Sequence, residues 1–281
     1  MHARTILYVI NTDTPDKDIT EAAQAVAADG NHLMCLLIGT APALPVLAYG
    51  IPPYGGMNIP DNWGQQLNDV RGAQAKRVNA IEGLLAKTDV SADIQPVISA
   101  TIDIKQHVAR AARVSDEAFL AANLRDTPDV LRETVAGALF HSPIAFRLNG
   151  APTNAAKRVF VAWDSSPAAA RAVHAALPYL RDADEVLIAC IDPVMNVDSD
   201  GQDPGTDVAA WLSRRGCSVT VSQFPSGGHE IADSLHSHAK EFGADLVVMG
   251  AYGHARMIQT VLGGTTRSMI EQSALPVLMA H

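Results

Sequence analysis

One alternation of elements runs through this chain twice, and that repeat constrains the fold more than any other feature. In the second half, short β-branched runs at Arg158–Trp163, Glu185–Ile191, Ser218–Gln223, Asp245–Met249 and Pro276–Ala280 are separated by helix-forming stretches at Pro167–Leu180, Gly205–Arg215, Glu230–Phe242 and Gly264–Gln272. The first half has the same order. Strands are predicted at Thr5–Ile10, Leu33–Ile38, Asp93–Ile98, Glu117–Ala122 and Pro143–Leu148, with helices at Ile19–Ala28, Asp61–Lys87, Ile104–Arg113 and Val130–Leu139 between them. Strands that alternate with helices imply βαβ units on a parallel sheet. The fold class is therefore α/β, with two tandem doubly wound five-stranded parallel sheets.

Size agrees with this reading, because 281 residues divide into two units that can each bury a core. The stretch Asn149-Gly-Ala-Pro-Thr-Asn154 has the composition of a surface connection. It divides the chain into residues 1–149, a linker at 150–156, and residues 157–281.

The formal charge of −9 is spread over both halves, with 12 basic against 16 acidic side chains in residues 1–150 and 9 against 14 in residues 151–281. Nucleic-acid binding needs a basic patch, and no such cluster occurs. Cys35, Cys190 and Cys217 lack CxxC spacing and read as reduced core residues. Neither a signal-peptide core nor a run of membrane-spanning length is present, so a cytoplasmic protein with no membrane partner is expected.

The two halves differ in ways that bear on function. Asn11 stands opposite Asp164, Ala122 opposite Gly250, and Pro143 opposite Pro276. Between the last two landmarks the first half spans 21 positions and the second 26, so the first half has lost chain where the second is Gly-rich. The first half also carries a Pro/Gly-rich stretch, Gly39–Pro60, with apolar residues that include Leu44, Ile51 and Met57. That stretch reads as a loop packed on its own sheet, or as a lid or partner surface.

After the strand ending at Met249 comes Gly250-Ala-Tyr-Gly253, then nine residues, then Gly263-Gly264-Thr265-Thr266 at the start of a helix. A strand, a Gly-rich turn and a helix N-terminus are the parts of a phosphate cradle: glycine admits close backbone approach, and unpaired N–H groups attract an anion. Thr265 and Thr266 add hydroxyl donors, and Arg256 or Arg267 adds charge. Read by themselves, the glycines also fit a tight turn with Thr265 as a cap.

Gly250-x2-Gly253-x9-Gly263 resembles the nucleotide-binding motif of the universal stress protein family, which a Ser or Thr normally completes where this chain has Gly264. The Pro276-Val-Leu-Met ending is also similar. The resemblance implies the Rossmann-like, adenine nucleotide alpha hydrolase-like fold and a binding site for ATP or a related adenine nucleotide in the second half, with or without Mg²⁺. It implies that Asp164 contacts adenosine, that Ala162 and Ile191 line the base pocket, and that Met249 and Gly250 lie beside the ribose. Gly253, Gly263, Gly264 and Thr265 would surround the phosphates, with His254, Arg256 and Thr266 nearby. From the residues alone, Asp164-Ser-Ser-Pro167 is equally a helix start, and His254 faces either phosphate or solvent.

The resemblance further implies a stress-response sensor or regulator that is not an enzyme beyond weak ATPase activity. Its degenerate first half would serve as an intramolecular pairing partner, through strand addition between the Phe146 and Met279 edges, and further association into a homodimer is left open. Two other functions compete. A slow nucleotide hydrolase or adenylating enzyme would need a base among Asp164, Asp192 and His254, and a scaffold that binds no nucleotide would keep the glycines for backbone geometry alone.

Other groupings are weaker. Asp198, Asp200, Asp203 and Asp207 lack the Gly and Glu of a calcium loop. His229, His236 and His238 do not share a helix face and read as surface residues. Ser165, His174 and Asp192 lack a nucleophile elbow, and no Walker lysine follows the glycines.

Overall fold

A computed structural model describes residues 3–43, 61–150, 156–195, 202–251, 264–271 and 274–281. The strands of the first half are β1 (Thr5–Asn11), β2 (His32–Thr40), β3 (Ser91–Ser99), β4 (Glu117–Leu120) and β5 (Ala145–Leu148). Its helices are α1 (Asp16–Ala28), α2 (Trp63–Leu85), α3 (Ile104–Ala112) and α4 (Pro128–Val135). The second half supplies β6 (Arg158–Ala162), β7 (Glu185–Ile191), β8 (Val219–Phe224), β9 (Leu246–Gly250) and β10 (Val277–Ala280). Its helices are α5 (Pro167–Ala175), α6 (Leu177–Asp182), α7 (Thr206–Ser213), α8 (Ile231–Phe242) and α9 (Gly264–Glu271).

The α/β class and parallel pairing expected from the repeat are present, and the two five-stranded blocks join into one sheet. Its order is β3-β2-β1-β4-β5-β10-β9-β6-β7-β8. Every pairing within a half is parallel. The junction alone is antiparallel, with Met279 opposite Phe146 and Val277 opposite Leu148. This is the strand addition the sequence led us to expect, and it covers one edge of each block, so that edge presents no unpaired backbone.

Alternation along the strands sorts their side chains onto two faces. Phe160, Val247, Met249, Val277 and Met279 face one way, into an apolar cluster that continues to Leu7 and Leu33 in the first half. Val159, Val161, Leu246, Val248 and Leu278 face the other way, under Ala169, Val173 and Tyr179 of α5 and α6. Both faces of the second block are buried, which explains why its strands read as continuous hydrophobic runs.

Two predicted helices differ from the structure. Pro167–Leu180 divides into α5 and α6 around Ala176, because Pro178 brings no N–H to a continuing helix and crowds the turn before it. Val130–Leu139 becomes α4 followed by a wider π turn, Ala136–Phe140. There Gly137 lies so close to α3 that a Cβ would sit 2.5 Å from the Lys105 carbonyl oxygen.

Candidate functional site

In each block the strand order reverses next to its first strand, so the crossovers leave in opposite directions and open a crevice at the carboxyl ends of the strands. In the second block this place lies between β6 and β9. A pocket of about 360 Å³ opens there, within the usual range for small-molecule sites. Its floor comes from Ala162 and Asp164 of the β6 end, Ile191 of β7, and Met249 and Gly250 of β9. Gly264, Thr265 and Thr266, the first turn of α9, form a wall.

The structure thus gathers eight of the residues singled out in the sequence around one cavity: Ala162, Asp164, Ile191, Met249, Gly250, Gly264, Thr265 and Thr266. Gly253, His254, Arg256 and Gly263 lie outside the described residues. Four further lining residues, Trp163, Ala189, Ile231 and Leu235, were not anticipated. Signals for three of them were present. Ala189 shares the Ile191 face of β7 by the two-residue period, and Ile231 and Leu235 are four apart on α8. What sequence could not supply was that α8 turns that face toward β7.

The rim shows how local backbone and chemistry combine. Ser166 caps α5, its Oγ accepting the Ala169 N–H at 3.0 Å, and Pro167 occupies the first turn. Asp164 is exposed, and its Oδ1 accepts the Ser166 N–H at 3.1 Å. Capping therefore belongs to Ser166, and Asp164 orients the turn while it faces the cavity. Ser165 between them holds φ at 58°, and Asp192 after β7 holds 45°. Non-glycine residues in this region are uncommon and gather at binding sites.

Asp192 accepts the Ser226 N–H at 2.9 Å. Hydrogen bonds from the Ser226 side chain and backbone hold its carboxyl below the usual carboxylate range. His174 packs its ring on Trp211 at 4.5 Å. His174 and Asp192 thus have partners elsewhere, and the triad drawn from sequence is not assembled. His238, read as a surface residue, stacks on Phe224 at 4.0 Å. Of the aspartates in the calcium-like segment, Asp207 lies in the first turn of α7 and its Oδ1 accepts the neighbouring Val208 N–H at 2.7 Å, while Asp198 and Asp200 lie outside the described residues. Cys35, Cys190 and Cys217 are buried thiols.

The glycines at the pocket have different causes. A Cβ on Gly250 would meet the Ala169 nitrogen at 2.5 Å and the Ala168 carbonyl carbon at 2.8 Å. Gly250 therefore lets the first turn of α5 press against β9. Among the described residues, nothing lies within 4 Å of where a Gly264 Cβ would point.

At the corresponding place in the first block, between β1 and β4, polar side chains bond one another. Thr14 Oγ1 donates toward Asn11 Oδ1 at 3.1 Å or Asn123 Oδ1 at 3.0 Å, and Asn123 Nδ2 donates to Asn11 Oδ1 at 2.8 Å. Arg77 of α2 binds the Thr14 carbonyl and Asp16 over them. Asn11, the counterpart of Asp164, is thus tied into a short internal network.

Comparison with known proteins agrees with these observations. Residues 155–281 match the model of the universal stress protein family. A universal stress protein from Archaeoglobus fulgidus DSM 4304 superposes with a TM-score of 0.67 at 13% identity, covering 98% of this chain and 97% of that one. A putative universal stress protein from Pseudomonas aeruginosa UCBPP-PA14 gives 0.54 at 14% identity, covering 98% and 92%. At these identities the likeness is one of fold. No curated protein matches the chain in sequence.

Proposed function

We propose that the second half, a universal stress protein domain by its family match, binds ATP or a related adenine nucleotide and acts as a stress-response sensor or regulator. The chain divides in this reading into residues 1–149 and 157–281, joined by 150–156, with one nucleotide site in the later unit. The observation that carries it is the cavity at the β6/β9 reversal, which Asp164 and the N-terminal turn of α9 line together with the apolar Ala162, Ile191 and Met249. An apolar slot suits an adenine ring, a carboxylate suits ribose hydroxyls, and a helix N-terminus with Thr265 suits phosphate.

The reading assigns binding rather than rapid turnover. Asp164 and Asp192 each accept a backbone N–H, and Asp192 is held well ionised, which makes it a weak general base. Mg²⁺, where it accompanies the nucleotide, would neutralise phosphate charge beside Thr265 and Thr266. Among the described residues no helix is long and apolar enough to cross a membrane, and a cytoplasmic role is part of the proposal.

The test is thermal unfolding with and without ATP and Mg²⁺, on the wild type and on Ala162→Trp, which fills the floor of the cavity. Ligand at 100 times its dissociation constant adds about 2.7 kcal/mol. A rise in melting temperature that Ala162→Trp abolishes supports the reading. An unchanged wild-type melting temperature at millimolar ATP would replace it with a scaffold that binds no nucleotide.

A further inference from the structure

Two contacts from the first half reach the two elements that flank residues 252–263 in sequence. One flank is Ala251, which follows Gly250 of the pocket floor, and the other is α9, whose first turn forms the pocket wall.

At Ala251, the N–H donates to the Ala280 carbonyl at 2.8 Å, and the carbonyl accepts from His281 Nδ1 at 2.9 Å. A carbonyl only accepts, so Nδ1 carries the proton. The His281 ring meets Phe140 edge-on, with centroids 4.9 Å apart and planes at 78°. Phe140 ends the π turn of the first half, and Gly137 presses that turn onto α3. Ala251 is thereby held through His281 by a side chain of the other half.

At α9, Arg125 donates to the Ile270 carbonyl in the last turn at 3.4 Å and to Asn149 Oδ1 at 2.6 Å. Asn149 Nδ2 donates in turn to the Leu275 carbonyl at 2.7 Å. A guanidinium at a helix C-terminus also complements the helix dipole. Arg125 belongs to the 3-10 turn Ala122–Asp126, which stands in the repeat where the second half has Gly250-Ala-Tyr-Gly253. The turn that replaced the first half's glycine segment thus supports the second half's helix.

We propose that the first half is an effector of the nucleotide pocket in the second: Arg125 and the Phe140–His281 pair are positioning residues that set α9 and Ala251 for the ligand. The proposal rests on the nucleotide reading above, and the experiment separates the two. ATP affinity is measured by calorimetry on the full chain for the wild type, Arg125→Met, Phe140→Ala, His281→Ala and His281→Asn. Backbone amide exchange of residues 246–251 and 264–271 is followed in the same proteins without ligand.

Val26→Ala, in the α1 core of the first half, serves as a control that lowers stability without touching either contact. Arg125→Met and Phe140→Ala are each expected to weaken ATP about fivefold, His281→Ala more, and all three to speed exchange in those segments. His281→Asn keeps a donor for the Ala251 carbonyl but loses the ring that meets Phe140, so it is expected to recover part of the affinity lost in His281→Ala and to match Phe140→Ala, and Val26→Ala is expected to leave the affinity unchanged. Wild-type binding with equal affinity in every variant would overturn the effector role and leave the nucleotide reading intact. If the wild type binds no ATP, the nucleotide reading falls and exchange decides the coupling: faster exchange in the three contact variants but not in Val26→Ala supports it, and unchanged exchange overturns it.

Discussion

Single residues at the pocket carry opposite constraints that look identical in sequence. Gly250 and Gly264 both belong to the glycine pattern, yet Gly250 is confined by α5 while Gly264 meets nothing within 4 Å among the described residues. Replacing Gly250 by Ala forces a methyl into the α5 backbone, which cannot yield without moving the helix from β9. Chemical denaturation of Gly250→Ala is expected to show a loss of ~2 kcal/mol. Gly264→Ser meets nothing within 4 Å among the described residues and puts a hydroxyl in the first turn of α9. Unchanged or slightly higher stability together with tighter ATP binding by calorimetry is expected. A loss of stability in Gly264→Ser would show that this position is also constrained.

Elements were legible where periodicity alone decides them, and less so where neighbours decide. The described strands follow from β-branched runs and the repeat, most clearly the central ones, which are buried on both faces and read as unbroken runs, while the edge strands β3 and β8 are largely exposed and more polar. The break at Ala176 follows from Pro178, a signal present in the sequence but outweighed there by the long Ala-rich run. The π turn at Ala136–Phe140 depends on how near α3 lies, which local sequence does not encode. Likewise Asp164 and the Thr265 turn were found from the motif, while Ile231 and Leu235 needed the placement of α8. At this scale the cap of α5 gives a clear expectation. Ser166 is buried and satisfies the Ala169 N–H, so Ser166→Ala should cost about 1 kcal/mol in denaturant unfolding, and Ser166→Asp should recover most of it.

Across the whole molecule, the junction of the two blocks is closed by a buried polar cluster on the α6 side of the sheet. Glu117 of β4 accepts from Arg147 of β5 at 3.1 Å, from Arg4 at 2.9 Å and from the Tyr179 hydroxyl of α6 at 2.5 Å. The Arg147 guanidinium lies 4.4 Å from the Tyr179 ring centre. One carboxylate with two arginines is tolerated inside because both of its oxygens accept hydrogen bonds from charged or hydroxyl donors, so the cluster fixes the register between the halves as well as their contact. Tyr179 joins the second half to it, and Tyr179→Phe should cost about 2 kcal/mol by leaving that carboxylate short of a donor.

The pH dependence follows from the same burial. Burial, then the Glu117 charge, pushes the Tyr179 hydroxyl from 10.0 to about 12, and burial pushes the Cys35 thiol from 9.0 to about 12. In both cases the folded state holds its proton more tightly than the unfolded chain. Their contribution is therefore complete below pH 9, where both states are protonated, and is lost as pH rises toward 12. Between those limits the unfolded chain binds fewer protons, so stability falls with pH by up to about 1.4 kcal/mol per pH unit for each group. Urea unfolding from pH 7 to 11 should show a plateau followed by a decline that begins near 9 and steepens past 10. Tyr179→Phe should start lower but decline less steeply above pH 10, because Phe has no proton to lose. Parallel curves for the two proteins above pH 10 would show that Tyr179 titrates alike in the folded and unfolded chain, and that the cluster does not hold the two halves in the way described.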